Sequence, residues 1–279
     1  MNKISLLLTV LLFVSGCAKN ETGNLNISEN NSAIIGGTAA TAKDLVTHST
    51  VSFLMEYQGK PLSLCTGTLI SKNMILTATH CLENLGEGIM AVYIGEKLPE
   101  VFDRSKLLKV AGWVTHPHYK LIEDQNRVPI TGVNDVAVLR LADEAPASAI
   151  PVPILDPKTS LQEGQSLLLA GYGLESELNV PVYSTGLNYV HVPLAKIVDA
   201  ILVTDQTNNQ GACSGDSGGP AFLETAQGLV VVGITRGPHD QAQDCRHYGE
   251  YTYASKFKSF ILKATAQLKG EAPKFVTLQ

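Results

Sequence analysis

Short apolar runs separated by Gly, Pro and Asn dominate the chain from residue 34 onward. They show little helical periodicity, and this pattern is typical of β-strands bounded by turns. Their spacing suits two antiparallel barrels that join within the Pro-containing stretch 145–157. The clearest predicted strands are residues 51–55, 67–70, 74–77, 110–114, 136–141, 166–171 and 229–234.

A helical period appears only near the end, within residues 253–268. A final amphipathic helix packed on the second barrel is the plain interpretation, and a membrane-surface helix is the alternative. No element is predicted for residues 271–279. The apolar positions of this segment are Phe257, Phe260, Ile261, Ala264 and Leu268.

Composition and charge narrow the function classes. The chain has 279 residues, of which 44% are hydrophobic and 17% charged, so it can bury a large core and is not generally disordered. Its formal net charge of -5 provides no basic field, which excludes nucleic acid as an expected partner.

The first residues have the features of an export signal. Residues 1–16 carry one basic residue, Lys3, before an apolar stretch that is too short to span a bilayer. Val14-Ser-Gly-Cys17 resembles a bacterial lipoprotein signal, in which the cysteine is lipidated and becomes the new amino terminus. The alternative is a simple secretory signal with a chance cysteine. Residues 17–33 are then a polar tether or propeptide, because they lack the apolar residues needed to fold.

Three separate segments carry side chains suited to nucleophilic catalysis. The Gly-rich run 211–220 contains Ser217, whose hydroxyl needs a general base that is itself oriented by a third group. His80, in Thr77-Ala-Thr-His, offers the base, and Asp135 offers a carboxylate at the start of an apolar run. Taken alone, Asp135 could simply cap local amides. The other histidines lie in no comparable motif and are interpreted as solvated or structural.

The chain order His, Asp, Ser and the sequences around these residues resemble the chymotrypsin and trypsin family of serine peptidases. The resemblance runs from Ile34 to about Lys269, which defines a peptidase domain at 34–269 and a tail at 270–279. It implies two six-stranded antiparallel barrels with a C-terminal helix, and hydrolysis of protein or peptide substrates through an acyl-enzyme. No cofactor is expected. No required metal is expected either, because Glu96 resembles a calcium-loop position of some relatives but the residues that follow it are not a convincing oxygen cage. Further matching motifs are Ile34-Ile-Gly-Gly37, Gly171-Tyr-Gly173 and Gly249-Glu-Tyr-Thr252.

The same resemblance assigns roles around the nucleophile. The backbone N–H groups of Gly215 and Ser217 would form an oxyanion hole. Cleavage before Ile34 would free an ammonium group that pairs with Asp216 and completes the site, so the precursor is expected to be a zymogen. Because Ala33 precedes the cut, the activating protease should prefer small residues, and it could be this enzyme itself.

The chain has five cysteines, so at least one of them cannot form a disulfide within the chain. Cys17 is the one explained by lipidation. The resemblance implies that the remaining four form two disulfides, Cys65 with Cys81 and Cys213 with Cys245. Reduced core cysteines are the alternative, although export favours oxidation.

Substrate preference is expected to differ from that of trypsin itself. Gly211 stands where trypsin has an aspartate at the floor of the primary pocket, while Gly237 and Gly249 match its walls and Thr235 matches the groove. An open, apolar pocket with uncharged P1 residues is therefore predicted. Glu250 could instead turn inward and restore a preference for basic residues.

The sequence thus favours a serine endopeptidase that is exported to a bacterial envelope as a lipid-tethered zymogen and released after activation. Two alternatives remain open. One is a catalytically silent adhesin or scaffold with the same fold. The other is an esterase that shares the acyl-transfer chemistry.

Overall fold

The computed structural model describes residues 34–57, 59–83, 91–123, 129–176, 182–239 and 245–278. The predicted signal at 1–16, Cys17 and the linker 17–33 lie outside the described residues. Within the described part of the chain, none of the helices combines the length and the apolarity needed to cross a bilayer.

Strands account for most of the described secondary structure. Those of the first half are β1 (Thr38–Ala39), β2 (Thr50–Tyr57), β3 (Lys60–Ser71), β4 (Met74–Thr77), β5 (Ala91–Ile94), β6 (Val110–Thr115), β7 (Lys120–Glu123), β8 (Pro129–Val133) and β9 (Ala137–Leu141). Those of the second half are β10 (Ile154–Leu155), β11 (Ser166–Gly171), β12 (Leu174–Ser176), β13 (Val182–Tyr183), β14 (Asn188–Val198), β15 (Ile201–Asp205), β16 (Pro220–Thr225), β17 (Gly228–Pro238), β18 (Tyr248–Tyr253) and β19 (Phe275–Val276).

Helices are few and short. The described chain has α1 (His80–Glu83) and α2 (Lys258–Gln267), together with 3₁₀ turns at Leu45–His48, Arg104–Lys106 and Ala254–Phe257.

The N-terminal sheet has six strands in the order β5-β2-β3-β4-β9-β6. Among the described residues, the two ends of this sheet meet only in an isolated bridge between Val92 of β5 and Leu108, which precedes β6, so the sheet forms a half-barrel. Strands β7 and β8 form a separate hairpin.

The C-terminal sheet closes on itself. Strands β16-β11-β14-β15-β18-β17 follow one another, and β17 pairs back with β16 to complete a six-stranded barrel. The predicted all-β class is confirmed as one closed barrel plus a half-barrel. Strand β14, which contains Pro193, was not among the clearest sequence predictions, yet it alternates buried and exposed residues along most of its length.

The C-terminal helix is confirmed, with α2 burying Ile261 and Ala264 and the 3₁₀ turn before it burying Phe257. Residues 270–279, expected to be a featureless tail, include strand β19. Phe275 pairs in parallel with Ile154 of β10, which ties this segment to the C-terminal sheet.

A single hydrophobic cluster joins the two halves. It includes Phe53, Leu76 and Val138 from the N-terminal sheet, and Tyr172 and Phe222 from the second half. The halves therefore share buried apolar surface, which fixes the geometry of the cleft between them.

Candidate active site

Antiparallel pairing brings the predicted base and its carboxylate to one edge of the N-terminal sheet. Thr77, at the end of β4, pairs with Ala137 at the start of β9. His80 begins helix α1 three residues beyond Thr77, and Asp135 lies two residues before Ala137. Two side chains that are distant in sequence are therefore neighbours because of strand register.

His80 and Asp135 are in direct contact. The imidazole Nδ1 of His80 lies 2.6 Å from Asp135 Oδ2, and the His80 backbone N–H donates to Asp135 Oδ1 at 3.1 Å. Only 2% of the Asp135 side chain is exposed, compared with 29% of the His80 side chain. The carboxylate therefore orients a ring whose outer edge remains accessible from the cleft.

Ser217 lies in the turn that precedes β16, next to this pair. The Thr66 backbone N–H donates to the Ser217 carbonyl oxygen at 2.8 Å. Cys81 Sγ lies 3.3 Å from that oxygen and 3.8 Å from His80 Nε2. The structure thus brings all three predicted residues to one end of the N-terminal sheet.

The two predicted cysteine pairs are both bonded. Cys65–Cys81 joins β3 to the start of α1, and Cys213–Cys245 joins the Ser217 segment to the chain before β18. The first disulfide lies directly beside His80 and therefore restrains the base.

The amides around Ser217 fall into two groups. Asp216, Gly218 and Gly219 each donate a backbone hydrogen bond inside the protein. Among the described residues, no acceptor is bonded to the backbone N–H of Gly215 or Ser217. These two donors are consequently available to a ligand oxygen, as the predicted oxyanion hole requires.

Asp216 is almost completely buried, with 1% of its surface exposed. Its carboxylate accepts hydrogen bonds of 2.8 Å from the backbone N–H groups of Gly173 and Cys213. Burial raises the pKa of Asp216 to about 7, although these two bonds favour the charged form and oppose the rise. No salt bridge between described residues includes this carboxylate.

Ile34 lies deep within the second half of the molecule. Its side chain is fully buried in a cluster that also contains Ala212 and Leu155. The next residue, Ile35, bridges Gly211 through two backbone hydrogen bonds of 3.0 Å. The predicted start of the mature enzyme is thus packed against the segment that leads to Ser217.

A cavity of about 160 Å³ opens beside Ser217. Of the four predicted pocket residues, Gly211 is not among those that line it, because another side chain covers it. A Cβ atom on Gly211 would lie 2.2 Å from Cδ of Gln206. The Gln206 side chain therefore lies against Gly211, where the sequence predicted an open pocket floor. The cavity is lined by Gln206, Ala212, Cys213, Ser214, Ser217, Thr235, Arg236, Gly237, Pro238, Cys245, Gly249 and Tyr251.

Glu250 does turn inward, as the alternative interpretation allowed, but its carboxylate faces Arg236 and His239 and is not among the groups that line the cavity. Its Oε2 lies 3.1 Å from Nη1 of Arg236, and its Oε1 lies 2.7 Å from Nδ1 of His239. The Arg236 side chain, which is 4% exposed, also donates through Nη2 to the carbonyl oxygen of Gly132. The carboxylate is thus paired within the wall of the groove.

Comparison with known proteins agrees with this arrangement. A family model described as Trypsin matches residues 34–261. The chain belongs to the trypsin family.

Several proteases are similar to this trypsin-family chain. It is 27% identical over 247 residues to mannan-binding lectin serine protease 1 of Homo sapiens, covering 77% of this chain and 33% of that protein. It is 28% identical over 216 residues to brachyurin of Leptuca pugilator, covering 73% and 88%. It is 30% identical over 230 residues to venom serine protease Bi-VSP of Bombus ignitus, covering 74% and 60%. The chain spans about a third of the length of the first of these relatives.

Threonine hydroxyl groups stabilise the backbone of the trypsin-family site. The Thr66 hydroxyl donates to the carbonyl oxygen of Gly215 at 2.9 Å, and the Thr252 hydroxyl donates to that of Asp135 at 2.9 Å. Thr235, predicted to match the groove, lines the cavity, and its hydroxyl donates to the carbonyl oxygen of Gly219 at 3.1 Å. The only sequence signal for Thr66 is its position next to Cys65.

Among the described residues, one cluster has side-chain atoms close enough together to bind a metal ion; it consists of Cys65, His80 and Cys81. The two sulfurs are bonded to each other, so neither is a thiolate that could bind a metal.

Proposed function

We propose that the protein is a serine endopeptidase that hydrolyses peptide bonds through Ser217, His80 and Asp135. The observation that carries the proposal is the 2.6 Å contact between His80 Nδ1 and buried Asp135, next to the Ser217 turn. His80 would accept the Ser217 proton during attack on the substrate carbonyl and pass it to the leaving amine. Asp135 would hold the imidazole in the required tautomer.

The free amides support the second part of this mechanism. The negative charge that develops on the carbonyl oxygen would be bound by the N–H groups of Gly215 and Ser217. Collapse of that intermediate would leave an acyl group on Ser217, and water activated by His80 would then release it.

The test is covalent labelling with a fluorophosphonate. Protein cleaved before Ile34 should be labelled and should hydrolyse peptides, whereas the Ser217→Ala variant should do neither. The variant protein should retain the same unfolding temperature, since the substitution removes one oxygen. Absence of serine-dependent labelling in wild-type protein would favour the silent scaffold of the same fold.

We also propose that cleavage between Ala33 and Ile34 activates the enzyme. Ile34 is already buried beside the Ser217 segment, and no salt bridge among the described residues gives Asp216 a cation. Ile34 has a φ of 66°, a left-handed conformation that is costly for a β-branched residue. Cutting the preceding peptide bond would remove that constraint and supply an ammonium group.

The raised pKa of Asp216 predicts how stability depends on pH before cleavage. Because the folded pKa is about 7 and the unfolded value is near 4, the folded state binds an extra proton between these values. Stability should therefore fall as pH rises from 4 to 7, by about 4 kcal/mol relative to Asp216→Asn. Urea unfolding of both proteins, in a Ser217→Ala background, measures this difference.

Cleaved protein is the control for that measurement. A new ammonium group near Asp216 would lower the pKa, so the difference between the two proteins should become nearly independent of pH above 5. Equal slopes before and after cleavage would contradict the activation proposal.

An uncharged P1 preference is the third element of the proposal. Glu250 follows the predicted pocket residue Gly249 in the sequence. Its carboxylate contacts the side chains of Arg236 and His239. A basic P1 side chain would lose hydration without finding a free carboxylate among the residues that line the cavity.

For localisation, we propose export to a bacterial envelope with a lipid on Cys17, so that cleavage after Ala33 also frees the enzyme from the membrane. Membrane fractionation of wild-type protein and an uncleavable Ala33 variant tests this coupling. Active, cleaved enzyme that remains in the membrane fraction would contradict release.

A further inference from the structure

We propose that Gln206 determines substrate specificity, because its side-chain amide closes the inner end of the primary pocket. It would restrict P1 to uncharged aliphatic side chains of about leucine or methionine size. The inference rests on the proposed peptidase function and names the residue that limits its substrates.

The position of Gln206 follows from the fold. It comes directly after β15 (Ile201–Asp205), is 1% exposed, and lines the same cavity as Ser217. A Cβ atom on Gly211 would lie 2.2 Å from Gln206 Cδ, and one on Gly249 would lie 2.5 Å from Gln206 Oε1. The Gln206 amide therefore occupies the space that these two glycines leave open.

Hydrogen bonds hold the amide in that place from both ends. Its Oε1 accepts from the Ala212 backbone N–H at 3.1 Å and from the Tyr251 hydroxyl at 3.3 Å. Its Nε2 donates to the carbonyl oxygens of Ala212 at 3.2 Å and Cys245 at 2.8 Å. Four bonds use both acceptor sites and both donor hydrogens of a glutamine amide.

A saturated amide offers nothing to a charged substrate. The head group of lysine or arginine would meet an oxygen that already accepts two hydrogen bonds, and a carboxylate would meet a nitrogen that already donates two. Either charge would be desolvated without compensation. Glu250 cannot supply the missing charge without giving up Arg236 and His239.

Length is limited by the same residue. The inner part of the pocket, against Gly211 and Gly249, is taken by Gln206, so a P1 side chain has the outer part beside Ser217. A branched aliphatic side chain can fill this outer part and gain from burial of its apolar surface. Side chains as long as tyrosine or arginine would have to displace an amide held by four hydrogen bonds.

The experiment compares kcat/KM for peptides that differ only at P1, with Leu, Tyr and Arg in turn. Wild type should prefer Leu to Arg by about a hundredfold or more. Gln206→Ala removes the amide and deepens the pocket, so the Tyr-to-Leu ratio should rise about tenfold. Gln206→Glu keeps the shape but adds a carboxylate, so the Arg-to-Leu ratio should rise at least tenfold.

Ratios within one protein do not depend on how much of it is folded, so a less stable variant still tests the inference. Gln227→Ala, an exposed glutamine in the turn between β16 and β17, is the matched control and should leave every ratio unchanged.

Dominant cleavage after Arg by wild type would overturn the inference, as would unchanged ratios in both Gln206 variants. Both results would leave the peptidase function standing. A wild-type protein that cleaves no peptide and is not labelled by a fluorophosphonate would instead overturn the proposed function, and this inference with it.

Discussion

Asp135→Asn should lower kcat by about 10⁴-fold and leave KM within a few-fold of the wild-type value. Asp135 Oδ2 lies 2.6 Å from His80 Nδ1, and Oδ1 accepts the His80 backbone N–H at 3.1 Å. An asparagine has only one side-chain oxygen, so it can accept only one of these two hydrogen bonds. If its amide nitrogen faces the ring, His80 Nδ1 must accept that hydrogen bond, and the ring proton must be on Nε2. Nε2 can then no longer accept the proton of Ser217.

The pH dependence of kcat distinguishes a wrong His80 tautomer from a general loss of structure in Asp135→Asn. Raising the pH cannot restore the correct tautomer, so the loss should persist across the neutral and alkaline range. Asp143→Asn, which changes an exposed aspartate just beyond β9, is the control and should retain wild-type kcat. A kcat within tenfold of wild type for Asp135→Asn would argue against the assigned role of this carboxylate.

The second large effect is expected at Gly215, where an alanine should reduce kcat by about 10²–10³-fold. Gly215 has a φ of 93°, and a Cβ atom there would lie 2.8 Å from Cα of Gly173. The contact is with backbone, so relief must come from movement of the Ser217 turn itself. That movement would displace the N–H groups proposed to bind the oxyanion.

Gly164→Ala is the matched control for Gly215→Ala. Gly164 also has a positive φ, of 86°, but a Cβ atom there would meet nothing within 4 Å. This control should cost about 1 kcal/mol of stability from backbone conformation alone, with kcat unchanged. Equal kcat losses in the two variants, or no loss in Gly215→Ala, would contradict the oxyanion assignment.

Much of the fold was accessible from the sequence because strands and turns are local. The runs at 74–77 and 166–171 match β4 and β11 residue for residue, and the helical period predicted α2. The parallel pairing of Phe275 with Ile154 was not predictable, because a two-residue strand carries no periodicity and gains its hydrogen bonds only from the folded sheet.

The site shows the same division. Ser217, His80 and Asp135 lie in motifs, and the structure brings those segments together. Gln206 lies outside any motif, and its importance depends on the small size of Gly211 and Gly249, to which it becomes adjacent only on folding. Likewise, Glu250 pairs with Arg236 because of the register between β17 and β18 and because both side chains are buried. Neither the register nor the burial of these two residues can be read from one sequence.

The hydrophobic cluster that includes Phe53 from one half and Phe222 from the other has a consequence for cooperativity. Because each half completes its interior with side chains of the other, neither is expected to persist as an independent folding unit. Heat or urea should melt them in one transition, and local opening of the cleft should be rare compared with global unfolding. Catalytic groups carried by different halves would then keep their mutual distances until the whole molecule denatures.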